Sequence, residues 1–188
     1  DEIRYASLLH DFGKIGVREH VLKKSKKLYP NEYQALIDRF LLIKTLLELK
    51  TSKKQISYFI EESREKALSM YKNSNKDLSE KLREFDEINK FIMNANEPNV
   101  LSHNVLEKLN ILEKQTFQYP EGISNNYLSN QEVCSLSIKK GSLNDQDRKE
   151  IESHVTHTFN FLKIIPWSIN LARVPEIAHA HHEKLNGK

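Results

Sequence analysis

The sequence predicts an all-α fold, and three observations predict it. Glycine and proline number only five each in 188 residues, too few for a turn-rich β architecture. Apolar residues recur at spacings of three and four along most of the chain. A composition of 38% hydrophobic and 29% charged residues suits helices with long solvated faces better than a large globular core.

Taken in order, residues 1–13 read as a first helix, with Ile3, Ala6, Ser7, His10 and Gly13 on one face. That face is small-sided apart from His10, so a partner helix can approach closely. Gly13 and Gly16 end the helix. "VREHVLKKSKKLYPNEY" is a basic connection with a short helical piece, and Pro30 opens the next helix. From Tyr33 to Gln131 long stripes follow. Leu36, Phe40, Ile43 and Leu47 form one, Leu78, Leu82, Phe85, Ile88 and Ile92 a second, and Val105, Leu109 and Leu112 a third. "NANEPN" (94–99) and "YPEGISNN" (119–126) are breaks. These residues are expected to form two or three long helices, packed as an antiparallel hairpin or a coiled-coil-like arm. Asn144 or Asp145 then caps an amphipathic helix running to Pro166, Pro175 starts the last helix, and Gly187 stops it.

A partial internal echo is present. "KKLYPNEYQALIDRF" and "KGSLNDQDRKEIESH" share a polar turn followed by an amphipathic helix; aligned on Leu28 and Leu143, Arg39 stands where His154 does.

Several function classes are disfavoured. A net charge of +3 argues against a polymeric nucleic-acid partner. Cys134 is the one cysteine, so neither a disulfide framework nor a thiolate metal site is available, and a reducing, cytoplasmic setting fits. No apolar run reaches the roughly 18 residues of a membrane span; "FLLIKTLLELK" is broken by Lys44 and Glu48. No signal peptide is seen. The chain begins at Asp1 in what reads as mid-helix, as expected of a piece of a longer protein with sensor or regulatory parts elsewhere.

The chemistry concentrates in histidines. Of eight, His20 and His103 sit among polar residues and read as solvated. His10, His154, His181 and His182 lie on three expected helices beside apolar or small residues, and with Asp11 they make five candidate metal ligands. Imidazole plus carboxylate without thiolate suits iron, manganese or zinc. Adjacent residues on a helix point about 100° apart. The His10–Asp11 and His181–His182 pairs therefore suit two neighbouring cations, the arrangement that clamps a phosphate for in-line attack. Lys14 follows Asp11 by three, placed either to neutralise phosphate charge or simply to pair with Asp11. Glu183 is either an acceptor for a ligand imidazole or a solvated charge.

"HDFGK" (10–14), "ESH" ending at His154, and "HHEKLNG" (181–187) together resemble the HD-GYP branch of the HD phosphohydrolase superfamily. The matching blocks cover roughly residues 1–30 and 136–188. The resemblance implies an HD-type helical bundle carrying an inserted helical hairpin or arm. Residues 1–32 and 132–188 would form the core and residues 33–131 the insertion. It implies two or three divalent metal ions, iron or manganese first, with zinc, nickel or magnesium as other candidates. Matched to the family's motifs, His10, Asp11, His154, His181 and His182 are metal ligands, and Asp11 is the bridging one. Asp11 and Lys14 are catalytic, and Lys14, Lys139 and Lys140 meet the substrate. The activity implied is hydrolysis of cyclic di-GMP to linear pGpG or GMP by a metal-bridging hydroxide. Two departures stand out: His157 replaces a commonly small residue, and the Gly-Tyr-Pro that follows in the family lies past Lys188. Alternatives are a degenerate module that binds nucleotide or a protein without catalysis, an HD phosphohydrolase for another cyclic dinucleotide or a phosphomonoester, and a diiron oxygenase of the same fold. Homodimerisation through the helical insertion is a further expectation.

Overall fold

The computed structural model describes residues 1–184. The stop expected at Gly187 and the end of the "HHEKLNG" motif lie outside the described residues. The fold is all-α: eight α-helices and one two-stranded hairpin among the described residues. No described helix is long and apolar enough to cross a membrane. The chain divides into two compact units, one formed by residues 1–25 together with the chain from 143 onward, the other by residues 26–142.

The first unit contains α1 (Glu2–Leu9), α2 (Glu19–Leu22), α7 (Asp145–Leu162) and α8 (Val174–His179). Its core is small: Ala6, Leu162, Val174 and Ala178, flanked by Leu9, Ile165, Trp167, Leu171 and Ile177. Ala6 and Ala178 leave little side chain between α1 and α8, so these helices pack closely, as the small-sided face of α1 requires. Helix α7 starts at a reciprocal cap. The Asn144 side chain accepts from the Asp147 N–H (2.8 Å), and the Asp147 carboxylate accepts from the Asn144 N–H (3.1 Å). Asp147 also accepts from Lys24 Nζ at 2.6 Å in an almost fully buried ion pair.

Helix α1 does not run to Gly13. It ends at Leu9, and Phe12–Gly16 forms a 3₁₀ turn that lies along α7. The segment descends α7 in steps. Phe12 stacks on Phe161 with centroids 4.2 Å apart, Gly13 meets Thr158, Gly16 lies beside His157, Arg18 pairs with Glu150, and Lys24 with Asp147. Gly13 permits the approach. A Cβ there would stand 2.0 Å from the His154 carbonyl oxygen and 2.5 Å from the Thr158 nitrogen, both backbone atoms.

The second unit is a helical hairpin with a cap. α3 (Pro30–Glu61) and α4 (Arg64–Ala95) have 32 residues each, about 48 Å at 1.5 Å per residue, and two residues join them. Pro30 opens α3 as expected, and Glu32 accepts from the Tyr29 N–H. The core gathers at the end where α3 begins and α4 finishes: Leu36, Phe40 and Ile43 against Phe85, Ile92 and Ala95. α5 (His103–Lys114) and α6 (Asn130–Leu136) close it with Leu109, Leu112, Val133 and Leu136. The other end is thinner, held by Tyr58 and Ala67 and by a bond from Gln55 to Asn75. The echo extends to geometry. α3 and α7 both begin with an acidic residue at the third helical position that accepts from the N–H of the cap residue, and Arg39, at the place of His154, makes a two-pronged pair with Glu132 (2.7 and 3.0 Å).

One reading is corrected here. The "YPEGISNN" break is the turn of an antiparallel hairpin, β1 (Thr116–Gln118) on β2 (Ser124–Asn126), with Gly122 at φ +84°. β2 is Ser-Asn-Asn, residues with no preference for strands, so its pairing is imposed by the turn and by Phe117 entering the core. The basic connection buries two of its lysines. The side chains of Lys24 and Lys27 are buried, and Lys27 Nζ donates to the Leu136 carbonyl at 3.2 Å. Burial holds the Lys27 ammonium below the ordinary lysine range.

Two outcomes are expected. Gly13→Ala should destabilise the protein by about 3 kcal/mol in denaturant titration, because backbone atoms cannot move aside cheaply. Lys27→Met should stabilise it by about 1 kcal/mol at pH 7. Between the lowered Lys27 pKa and 10.5 the unfolded chain holds the extra proton, so wild-type stability rises with pH there. The advantage of Lys27→Met should therefore shrink through that window when the titration is repeated at alkaline pH.

Candidate metal centre

The centre is built within the first unit by the ends of α1 and α8 and the middle of α7. His10 is the residue that ends α1, and Asp11 follows at φ −97°, ψ 3°. His154 lies mid-way along α7 and is 2% exposed. His181 and His182 sit in a 3₁₀ turn, Ala180–His182, after α8. Neither adjacent pair lies within a regular α-helix, which corrects the helical placement expected from the sequence. Each follows the last turn of its helix, where the backbone is already leaving the 3.6-residue period.

Three imidazoles are oriented in the same way. The Nδ1 of His10 lies 2.7 Å from the Ser7 carbonyl, that of His181 lies 2.6 Å from the Ala178 carbonyl, and that of His154 bonds to the Ile151 carbonyl. In every case the acceptor is three residues earlier. A carbonyl oxygen can only accept, so each Nδ1 carries a proton, and in the neutral ring each Nε2 presents a lone pair. Those lone pairs converge. His154 Nε2 and His181 Nε2 are 3.3 Å apart, and with both rings neutral these two acceptors have no hydrogen to share. A cation between them resolves the conflict.

Asp11 joins the sides of the site. Its Oδ2 faces His10 Nε2 at 3.2 Å and receives Lys14 Nζ at 2.7 Å; its Oδ1 faces His154 Nε2 at 3.5 Å. Two groups of ligand atoms result, each within 4.8 Å: His154, His181 and His182, and His10, Asp11 and His181. His181 belongs to both. The hydrogen bond from Lys14 keeps the Asp11 carboxyl below its ordinary range, against the opposing effect of burial. Burial, reinforced by the neighbouring histidines, pushes His181 below the ordinary histidine range. Both shifts favour the forms that bind cations, carboxylate and neutral imidazole.

The structure thus brings His10, Asp11, Lys14, His154, His181 and His182 together. Lys139 and Lys140 are exposed residues of the other unit. His157 is exposed, lies beside Gly16 and belongs to neither ligand group; Glu183 is exposed. His179 packs against Phe159, His103 lies 3.8 Å from Glu107, and His20 is exposed. Sequence reasoning missed Thr158. Its hydroxyl donates to the His10 carbonyl (2.9 Å) and accepts from the Gly13 N–H (2.8 Å). Its position four residues after His154 was the available signal, since that spacing puts both on one helical face.

A groove of about 340 Å³ opens beside the cluster, between α1 and α8, lined by Ile3, Ala6, Ser7, Ile177 and Ala178 and ending at His10 and His181.

Comparison with known proteins adds one finding. Searches of curated proteins and of solved structures returned no match. The family model of the HD domain matches residues 125–188, about a third of the chain. That stretch includes α7 and α8 and therefore His154, His181 and His182, but not the His10–Asp11 turn that meets them. The chain from residue 125 onward is therefore similar to an HD domain, and the separate N-terminal turn brings a histidine and an aspartate to its histidines.

Proposed function

We propose that the protein is a metal-dependent phosphodiesterase of the HD-GYP type that hydrolyses cyclic di-GMP to linear pGpG or GMP. The carrying observation is the convergence of imidazole Nε2 atoms and one carboxylate in a single small volume, with each Nδ1 of His10, His154 and His181 already engaged by a main-chain carbonyl. The HD-domain match supports the metal-dependent hydrolase class, and the ordered "HDFGK" and "HHEKLNG" motifs support the HD-GYP assignment.

The donor set of imidazoles and a carboxylate fits iron or manganese. Divalent cations held there would supply positive charge to phosphate oxygens and acidify a water molecule. His10, His154 and His181 would hold the cations through Nε2, and their Nδ1 bonds to main-chain carbonyls restrain the rings from rotating. Asp11, with one oxygen towards His10 and the other towards His154, would offer both carboxylate oxygens to the cations. His182 completes the outer side. Lys14, half-exposed and already against Asp11, places its ammonium where a non-bridging phosphate oxygen gains charge.

The test is incubation of the protein with cyclic di-GMP and Mn²⁺ or Fe²⁺, with products separated by chromatography. Linear dinucleotide or GMP is expected, and His181→Ala or Asp11→Asn should lower kcat at least about a hundredfold, as loss of a group that holds the reacting centre does. Binding of the nucleotide without turnover, with metal demonstrably bound, removes the catalytic claim and favours a binding module.

A further inference from the structure

We infer that Thr158 is a positioning residue of the metal centre: its hydroxyl pins the turn after helix α1 in the geometry that lets Asp11 and His10 face the α7 histidine. The inference rests on the metal-binding reading above and concerns a residue that reading does not use.

Had α1 continued, the Gly13 N–H would have donated to the Leu9 carbonyl, and the His10 carbonyl would have accepted from the Lys14 N–H. Neither bond is made. The Gly13 N–H donates to Thr158 Oγ1 at 2.8 Å, and Thr158 Oγ1 donates to the His10 carbonyl at 2.9 Å. The Lys14 N–H turns instead to the Asp11 carbonyl, closing a tighter turn. A single hydroxyl, acting as donor and acceptor, thus takes the place of two helical bonds. Thr158 is fully buried, so water cannot take over either bond.

Position makes this specific to the site. Thr158 lies one turn after His154 on α7. The group that sets the His10–Asp11 turn and the imidazole facing Asp11 therefore ride on one rigid helix. The 3.5 Å separation of His154 Nε2 and Asp11 Oδ1 depends on that shared frame. Gly13 supplies the clearance and Thr158 the bonds.

The experiment compares Mn²⁺ affinity, by isothermal titration calorimetry on the metal-free 188-residue protein, for wild type, T158V, T158S and T158A, with V174A as a packing control. T158V keeps the shape and loses the hydroxyl; it should bind about tenfold to a hundredfold more weakly, the usual effect of removing a group that orients metal ligands. T158S, which keeps the hydroxyl, should bind within about threefold of wild type, the usual spread between similar contacts. V174A removes core volume from the same unit away from the turn, and should lower the melting temperature while leaving affinity unchanged. If T158V folds too poorly to titrate, T158A against T158S makes the same comparison. Wild-type affinity in T158V or T158A, or an equal loss in T158S, overturns the inference while leaving the metal site standing. Wild type that takes up no Mn²⁺ overturns the metal-binding reading and the inference together.

Discussion

Everything at the candidate centre depends on how closely the turn after α1 approaches α7. The ligands come from segments far apart in sequence, around residues 10, 154 and 181, and no local preference brings them together. Gly13 does so by having no side chain. With backbone atoms 2.0 and 2.5 Å from where a Cβ would stand, the turn lies against α7 at main-chain contact. The Phe12–Phe161 stack, the Arg18–Glu150 pair and the buried Lys24–Asp147 pair extend that contact along the helix in both directions. The carboxylate of Asp11 arrives beside His154 as a consequence.

The second principle is how helices orient their own ligands. In His10, His154 and His181 the Nδ1 proton goes to a carbonyl three residues back, so the backbone that carries each ring also fixes its tautomer. No second side chain is needed for that purpose. The arrangement leaves each Nε2 of a neutral ring without a proton and aims several of them into one small volume, which is unfavourable until positive charge is present. A cluster of this kind is costly as a structural feature and well suited as a cation site.

Much of this was legible in the sequence. Pro30, Asn144 and Pro175 marked helix starts because proline and capping side chains act locally. The long stripes gave the α3–α4 hairpin because its apolar contacts repeat with the helical period. What escaped were features set by tertiary contact. α1 ended three or four residues early, and the turn after it is bonded to a hydroxyl of α7 instead. The β1–β2 hairpin has a polar second strand that follows its turn rather than its own preference. Lys24 and Lys27, in a run of lysines that looks solvated, are buried by an aspartate and a carbonyl more than a hundred residues away. For the site, residue types and order named the imidazoles and Asp11. Their supports, Thr158 and the three carbonyls, carry no sequence signature beyond spacing.

The central claim is that these groups form one cation-binding pocket within the first unit. The most direct measurement is anomalous diffraction from crystals soaked in Mn²⁺. The account requires peaks at bonding distance from Nε2 of His154 and His181 and from the Asp11 carboxylate, with His10 beside them. Well-ordered crystals showing those side chains intact with no peak among them, or manganese bound only elsewhere, would contradict it.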